Sequence, residues 1–393
     1  MTQDNQRAGL EHLLRQLRAD QSIVEETVST ILSTVPGYDG VSRESLERSV
    51  RRNVQMSIRA LQGKWSPRDA EIPEADALAT ERLSQGVALS SLLAGFRVSL
   101  STILRRVLQL APDYQVSAQE ALGCSTVLWD LGDSFSARAM DVYQRAAIRE
   151  AVVNSARRHQ WIADAVTQGL PRVELLHGAA TYGVPDDQWM RAVAIGSQAS
   201  EATATMSELQ QRAARSGLRL WLAPHASGVV GAVLGTEDQD LGQLCAADTN
   251  LTLALGHQVV LGQLPESYAD AVRVQRAAAA TGRTGLVDAR AMSWRMAIPA
   301  SPETTDWMQQ RWLIPVLDQG EFGASVLESV AAYINNGQNI PRAAAAIPVH
   351  VNTLRYRLRR FEDLTGADFQ DVDCLIEVAW ALAPGASWRP ATG

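Results

Sequence analysis

Lysine is almost absent from this chain of 393 residues: Lys64 stands alone among 36 basic side chains, and the rest are arginine. A GC-rich coding bias explains that more simply than selection for the bidentate chemistry of the guanidinium group. Cysteine is scarce too. Cys124, Cys245 and Cys374 lie far apart, cannot all pair with one another and show no metal-ligand spacing. That excludes a disulfide framework and leads us to expect a reducing cytoplasm. No apolar run reaches about 18 residues, so no membrane span is expected. Met1 to Arg18 is polar and charged and lacks the apolar stretch and small-residue cleavage site of a secretory leader. Positive charge is also in deficit: 43 acidic residues against 36 basic ones give a formal net charge of −7. A chain of that sign is no general coat for nucleic acid, so contact with a polyanion has to come from a local basic patch.

What is present divides along the chain. Up to about residue 155 the pattern is helical. Leu10, Leu13, Leu14 and Leu17 recur at helical spacing, and so do Leu92, Leu93, Phe96, Leu100, Ile103, Leu104 and Leu108. Turn residues interrupt the pattern at Pro36–Gly40, Ser66-Pro67 and Ala111–Asp113. A bundle of roughly six to eight helices is predicted. Ser134–Gln168 reads as one long helix, free of glycine and proline after Phe135 and ended by Gly169-Leu170-Pro171. A helix of that length bridges domains or pairs with a copy of itself.

Beyond it the period changes. Short β-like runs stand at Met190–Ile195, Leu218–Leu222, Gly228–Leu234 and Gln258–Leu261, with helical segments at Glu201–Ser216 and Glu266–Thr281. This mixture predicts an α+β domain with an antiparallel or mixed sheet. A connector follows with Trp294, Trp307 and Trp312; the last unit is helical again, and Pro384–Gly393 reads as a loose tail. The expected division is 1–155 for the helical domain, 156–295 for the α+β domain with its preceding helix, 296–320 for the connector and 321–385 for the last unit. The fold class expected is multidomain and mainly α.

The chemistry concentrates near the C-terminus, in three helices with tight connections. The first ends at Asn335-Asn336-Gly337, a left-handed helix-end signal. The second is short, with Asn339 as N-cap, Pro341 in the first turn, Arg342 beside it and an alanine run that packs closely. Pro348 ends it. The third begins near His350–Asn352 and runs to about Leu364, before Gly366. At about 100° per residue, Leu354, Leu358 and Phe361 fall on one face, the inner one. Asn352, Tyr356 and Arg359 lie opposite, Thr353, Arg355 and Arg360 flank them, and Arg357 lies nearer the inner edge. No acid interrupts residues 351–360. This layout suits a recognition helix: Asn and Arg read base edges in the major groove, and flanking Arg and Thr hold phosphates. The local patch that the acidic chain requires is therefore present. His350 either donates to a phosphate or caps the helix. On composition alone, a merely solvated basic face is an equal alternative.

The string Asn352-Thr353-Leu354-Arg355-Tyr356-Arg357-Leu358, followed by Arg359-Arg360-Phe361-Glu362 and Leu364-Thr365-Gly366, resembles the C-terminal helix-turn-helix of the PucR/CdaR family of regulators. The upstream Asn-Gly turn and alanine-rich helix fit as well. Two positions depart from the family pattern: Pro341 stands where a serine cap is usual, and Val351 where a basic residue is common. Residues 185–288 look like the degenerate GGDEF-like domain of the same family, best in Ala254–His257 and Leu264–Ala271, and residues of about 15–150 resemble its RsbR-like helical N-terminal domain. The resemblance implies a cytoplasmic transcriptional regulator that binds double-stranded DNA as a homodimer or higher homo-oligomer. It implies no cofactor, and a small-molecule or protein signal acting on the upstream domains. The DNA-binding residues it implies are His350, Asn352, Thr353, Arg355, Tyr356, Arg359, Arg360 and Arg342. A signalling scaffold whose C-terminal unit has lost DNA binding is the alternative.

Other constellations are weaker. The hairpin Ala223–Gly228, where a cyclase would carry its carboxylates, has none for a magnesium ion, so no catalysis is expected. The histidines His12, His159, His177, His225, His257 and His350 form no ligand pair, and no metal site is expected. Gly231–Gly235 lacks a following lysine and reads as a strand end. Glu71–Asp76 complements a helix dipole. Arg97, Arg105 and Arg106 stand in or beside the apolar stripe of the N-terminal bundle. Surface ion pairs are the simpler expectation there, and a ligand carboxylate the sharper one.

Overall fold

A computed structural model describes residues 3–63, 72–196, 201–234, 241–245 and 251–383. The Ser66-Pro67 break, Lys64, Glu71, Gly235 and the tail from Pro384 lie outside the described residues. The chain divides into two compact units, Met1–Asn154 and Ser155–Gly393.

The first unit is helical: α1 (Gln3–Ala19), α2 (Ser22–Thr34), α3 (Arg43–Leu61), α4 (Pro73–Ser84), α5 (Leu89–Leu110) and the first part of α6 (Ala118–Thr167). Leu13, Leu14 and Leu17 enter the core as their spacing predicts. The chain turns at Gly37, whose φ of +84° is left-handed. Ser42 caps α3, its hydroxyl accepting from Ser45 N at 3.2 Å. One buried cation stands in this apolar interior. Arg82 of α4 donates to the Ser45 hydroxyl at 3.1 Å, the Ser49 hydroxyl at 2.8 Å and Gln85 Oε1 at 2.5 Å. Such neutral acceptors, with the Glu81 carboxylate 3.7 Å away, offset the cost of removing a guanidinium from water. Gly95 on α5 is fixed by the same corner, because a Cβ there would lie 2.8 Å from the Tyr38 hydroxyl.

Helix α6 starts at Ala118, well before Ser134. Gly123 and Gly132 lie inside it, and they are the reason the sequence pattern shortens it. Gly132 has a packing reason: a Cβ there would press to 3.2 Å on Leu100 Cδ1. The helix ends where expected, with Gly169 left-handed at φ +79°.

The second unit opens with α7 (Arg172–Tyr182) and holds a five-stranded sheet. Its strands are β1 (Met190–Ile195), β2 (Leu220–His225), β3 (Gly228–Leu234), β4 (Thr252–Val259) and β5 (Gly285–Asp288), in the order β2-β3-β1-β4-β5. All neighbours are antiparallel except β4 and β5. Helices cover both faces, which is why every residue of β1 is buried. On one face Val193 and Ile195 pack with Met206 and Leu209 of α8 (Ala202–Arg215). On the other, Ala194 and Ala254 meet Ala271 and Val274 of α9 (Leu264–Ala280). Pro224 sits on the edge strand β2, where a missing N–H costs no ladder bond to a further strand.

Strands β1 and β3 lie where the short β-like runs place them. Strand β2 begins two residues later than the sequence suggests, and β4 lies well upstream of Gln258–Leu261, because Gly256 reads as a break. Its glycine is demanded by packing: a Cβ there would stand 1.9 Å from Ser267 O of α9. Ser267 fastens that contact, its hydroxyl donating to His257 O at 2.7 Å and accepting from Ala192 N at 2.9 Å.

After β5 come α10 (Ala289–Met292), a 3₁₀ stretch Ser293–Ala300, α11 (Pro302–Trp312), α12 (Ile314–Leu317), α13 (Glu321–Asn335), α14 (Ile340–Ala346), α15 (Val351–Thr365) and α16 (Val372–Leu382). The tryptophan-bearing connector is itself helical. Trp312 is buried in the C-terminal core, and its indole N–H donates to Glu377 Oε2 at 2.9 Å. Trp294 stacks on Trp380 with ring centroids 5.9 Å apart. Among the described residues, no helix is long and apolar enough to cross a membrane.

Candidate nucleic-acid interface

Helix α13 ends in a Schellman turn. Gln338 N–H reaches Tyr333 O at 2.9 Å and Gly337 N–H reaches Ile334 O at 3.1 Å. Both Gly337 (φ +64°) and Gln338 (φ +61°) are left-handed. Asn339 then caps α14, its side-chain oxygen accepting from Arg342 N at 3.0 Å. Such a cap contributes about 1 kcal/mol. The capping role that the family pattern gives to position 341 is thus filled two residues earlier, and Pro341 sits harmlessly in the first turn. A tight turn at Pro348, with Val349 N–H on Ile347 O, leads into α15. His350 caps α15, Nδ1 accepting from Asn352 N at 3.2 Å. In the neutral ring an accepting Nδ1 leaves the proton on Nε2, so the cap and a donor to a phosphate are compatible. Gly366, φ +74°, closes the helix.

The inner stripe Leu354, Leu358 and Phe361 is buried against α13 and α14, with Phe369 stacked on Phe361 at 5.7 Å and edge-on to Tyr333 at 5.5 Å. Val351 is half-buried against the same core. On the other side, Asn352, Thr353, Arg355, Tyr356 and Arg359 are exposed and Arg360 is half-buried. Arg342 and His350 are exposed beside them. Arg357 turns inward, donating to the Ser329 hydroxyl at 3.2 Å, as its place on the wheel predicts. Among the described residues no ion pair occupies Arg342, Arg355, Arg359 or Arg360, whereas the N-terminal Arg105 and Arg106 pair with Glu26 and Asp20. Four cations without counter-ions on and beside one short helix are suited to an external polyanion.

Two features of this surface escape the wheel. Phe322, at the start of α13, stands 6.2 Å from Tyr356, ring to ring. Nothing in the local spacing of either helix signals that pairing. Behind the face, Arg355 and Arg359 line a cleft with Glu362, Asp368 and Phe369. Burial raises the Glu362 carboxyl above its ordinary range, Asp368 and Asp363 push the same way, and Arg359 opposes them.

Residues 326–383 match the PucR C-terminal helix-turn-helix domain. The C-terminal unit is a PucR-type helix-turn-helix. Residues 21–158 match the RsbT co-antagonist protein RsbRD N-terminal domain, so an RsbRD-type domain precedes the PucR-type one. Uncharacterized proteins of Mycobacterium tuberculosis and Mycobacterium bovis are 26% identical over 227 residues, 54% of this chain and 54% of theirs. The chain thus spans about half the length of the curated relatives it matches. A crystal structure of a regulator of polyketide synthase expression from Bifidobacterium adolescentis is 16% identical with a TM-score of 0.29, over 59% of this chain and 98% of that one.

Proposed function

We propose that this protein is a sequence-specific, DNA-binding transcriptional regulator that works in the cytoplasm as a homo-oligomer. One observation carries the reading: α15 of the PucR-type domain presents Asn352, Tyr356 and Arg359 to solvent, with arginines beside them that form no salt bridge among the described residues. In this reading Asn352 and Tyr356 reach base edges, while Arg342, Arg355, Arg359, Arg360 and the His350 Nε2–H hold phosphates. A single helix-turn-helix buries too little DNA for tight binding, which supports an oligomer. The sheet domain is read as a degenerate GGDEF-like element. The β2–β3 hairpin carries Ala226 and Ser227 at its tip and no carboxylate, which supports a mechanical role between signal and DNA in place of nucleotide cyclisation. A small molecule or a protein acting on the upstream domains is the proposed signal.

Fluorescence anisotropy with fragments of the region upstream of the protein's own coding sequence tests this. Arg359→Ala is expected to weaken every fragment about tenfold and to flatten the salt dependence by about one counterion. Asn352→Ala is expected to change which fragment is preferred, by about 1–3 kcal/mol at one base pair. Failure of the full chain to bind any fragment at low salt overturns the regulator reading in favour of a signalling scaffold.

A further inference from the structure

Two aromatic rings stand on the basic face of the helix-turn-helix, where folding does not ask for them. Phe322 of α13 is 38% exposed and Tyr356 of α15 is 60% exposed. The core of this domain is filled by Val326, Leu327 and Val330 of α13 against Leu354, Leu358 and Phe361 of α15, and neither ring is part of it. The two rings meet each other instead. Their centroids lie 6.2 Å apart with the planes tilted by 47°, inside the range in which the edge of one ring attracts the face of another. A lone tyrosine on an exposed helix face exchanges between staggered rotamers. A fixed neighbouring ring favours one of them, so less ordering is left to be done on binding.

Phe322 is itself fixed. Gly320, at φ +65°, turns the chain into α13. Gly323, one residue past Phe322, packs backbone on backbone: a Cβ there would stand 1.9 Å from Val316 O of α12. Val316 is fully buried, so the first turn of α13 cannot slide. About two turns further along α13, the Ser329 hydroxyl accepts from Arg357 at 3.2 Å. Arg357 directly follows Tyr356. Neighbouring residues of α15 are thus tied to α13 at two points, Arg357 inward through Ser329 and Tyr356 at the surface through Phe322.

The surroundings of the pair define what it can read. Asn352, Thr353, Arg355 and Arg359 of the same helix are polar and exposed, and they suit the hydrogen-bonding edges of bases and the phosphates. An apolar patch in that setting has one apolar counterpart in the major groove of unmodified DNA, the 5-methyl group of thymine. We propose that Phe322 is a specificity-determining residue: it positions the ring of Tyr356, and the pair selects a thymine methyl in the major groove. The proposal rests on the regulator reading, which supplies the DNA. It adds a residue from outside the recognition helix and names the group that is read.

The test is fluorescence anisotropy of the full chain on the upstream fragment that it binds best, prepared once with thymine and once with uracil at every thymine position. Uracil pairs as thymine does and lacks only the methyl. The wild type is expected to bind the uracil form about tenfold more weakly. Phe322→Ala is expected to shrink that ratio to about twofold, and Phe322→Tyr, which keeps the ring, to restore most of it. In a Tyr356→Ala background, Phe322→Ala is expected to move the ratio no further. A merely structural role for Phe322 weakens both forms alike and leaves the ratio at its wild-type value, which overturns the proposal. A wild type indifferent to the methyl also overturns it and leaves Tyr356 only its hydroxyl for contact with DNA. A further fall of the ratio in the Tyr356→Ala background overturns the positioning role, since Phe322 then acts alone. These outcomes leave the regulator reading standing. A full chain that binds no fragment overturns both.

Discussion

Helices α5 and α15 make an instructive pair. Each has a complete inner stripe: Leu92, Phe96, Ile103 and Val107 in one, Leu354, Leu358 and Phe361 in the other, all buried within their own domains. Their outer faces differ. Helix α5 carries a half-buried row of Leu93, Leu100 and Leu104 beside exposed Arg97 and Leu108, and α15 shows asparagine, threonine, tyrosine and arginine. Folding is answered by the inner stripes, so the outer faces are left for partners. An apolar outer face gains most from another apolar protein surface, because burial there releases water. A basic face gains most from a polyanion, because contact there releases counterions. One chain can therefore be acidic overall and still bind DNA, provided the two tasks sit on different helices.

The sharpest way to break this comparison is to unmake one inner stripe. Phe361 is fully buried and stacks on Phe369. Phe361→Ala is expected to cost about 3–5 kcal/mol of stability in the C-terminal core and to abolish DNA binding. Self-association through the upstream domains is expected to survive, because the change lies in the C-terminal core. Denaturant unfolding followed by tryptophan fluorescence, with sedimentation on the same sample, checks both halves. Loss of both properties together means that the two faces are not independent.

Salt is the next lever. With roughly eight cations from two copies of this face, affinity for DNA is expected to fall on the order of ten-thousandfold between about 50 and 200 mM salt. Self-association, read by sedimentation on the same samples, is expected to shift only a few-fold over the same range. Parallel falls in both properties mean that charge, not apolar contact, holds the copies together.

Much of this architecture is legible in the amino-acid sequence. The inner and outer faces of α15 follow from a 3.6-residue period and hold in the fold, including the inward turn of Arg357. The first and third strands follow from short β-like runs of apolar residues. What eludes the sequence involves partners distant along the chain. Gly256 reads as a break because the demand for a bare backbone there comes from Ser267, on a helix that local spacing does not bring to the strand. Arg191 is a single charge in a strand of apolar residues, and its acceptors are Gly256 O at 2.8 Å and Asp288 Oδ2 at 2.9 Å, the latter 97 residues away. Burial pushes the Asp288 carboxyl up, yet the Ala291 N–H and Arg191 outweigh burial and hold it below its ordinary range. Phe322 beside Tyr356 belongs with these. Its neighbour on the interface is set by how α13 crosses α15, which no local spacing encodes. The basic face of α15 is legible because it lies along one helix. The groove between α5 and α6 is only half legible, since two adjacent helices have to be placed before Arg97 and Asp133 line it together.

The smallest effect expected concerns the back of the DNA face. Glu362 shares a cleft with Arg355, Arg359 and Asp368. Burial raises its carboxyl above the ordinary range, Asp368 and Asp363 add to that, and Arg359 pulls the other way. A raised carboxyl stabilises the fold only while it is protonated. That contribution is complete below the ordinary carboxylate range and is lost as pH rises through the raised value. At neutral pH Glu362 is therefore a charge the fold tolerates at a cost, and it also subtracts from the positive potential of Arg359. Glu362→Gln keeps the shape and removes the charge. It is expected to raise the thermal midpoint slightly at neutral pH and to tighten DNA binding about two- to threefold. The stability difference from wild type should close as the pH falls below the titration of Glu362. Weaker binding in Glu362→Gln would give the carboxylate the opposite role, that of holding Arg359 in place for a phosphate. Combining it with Arg359→Ala decides between the two: a field effect on Arg355 and Arg360 persists without Arg359, and a positioning effect vanishes with it.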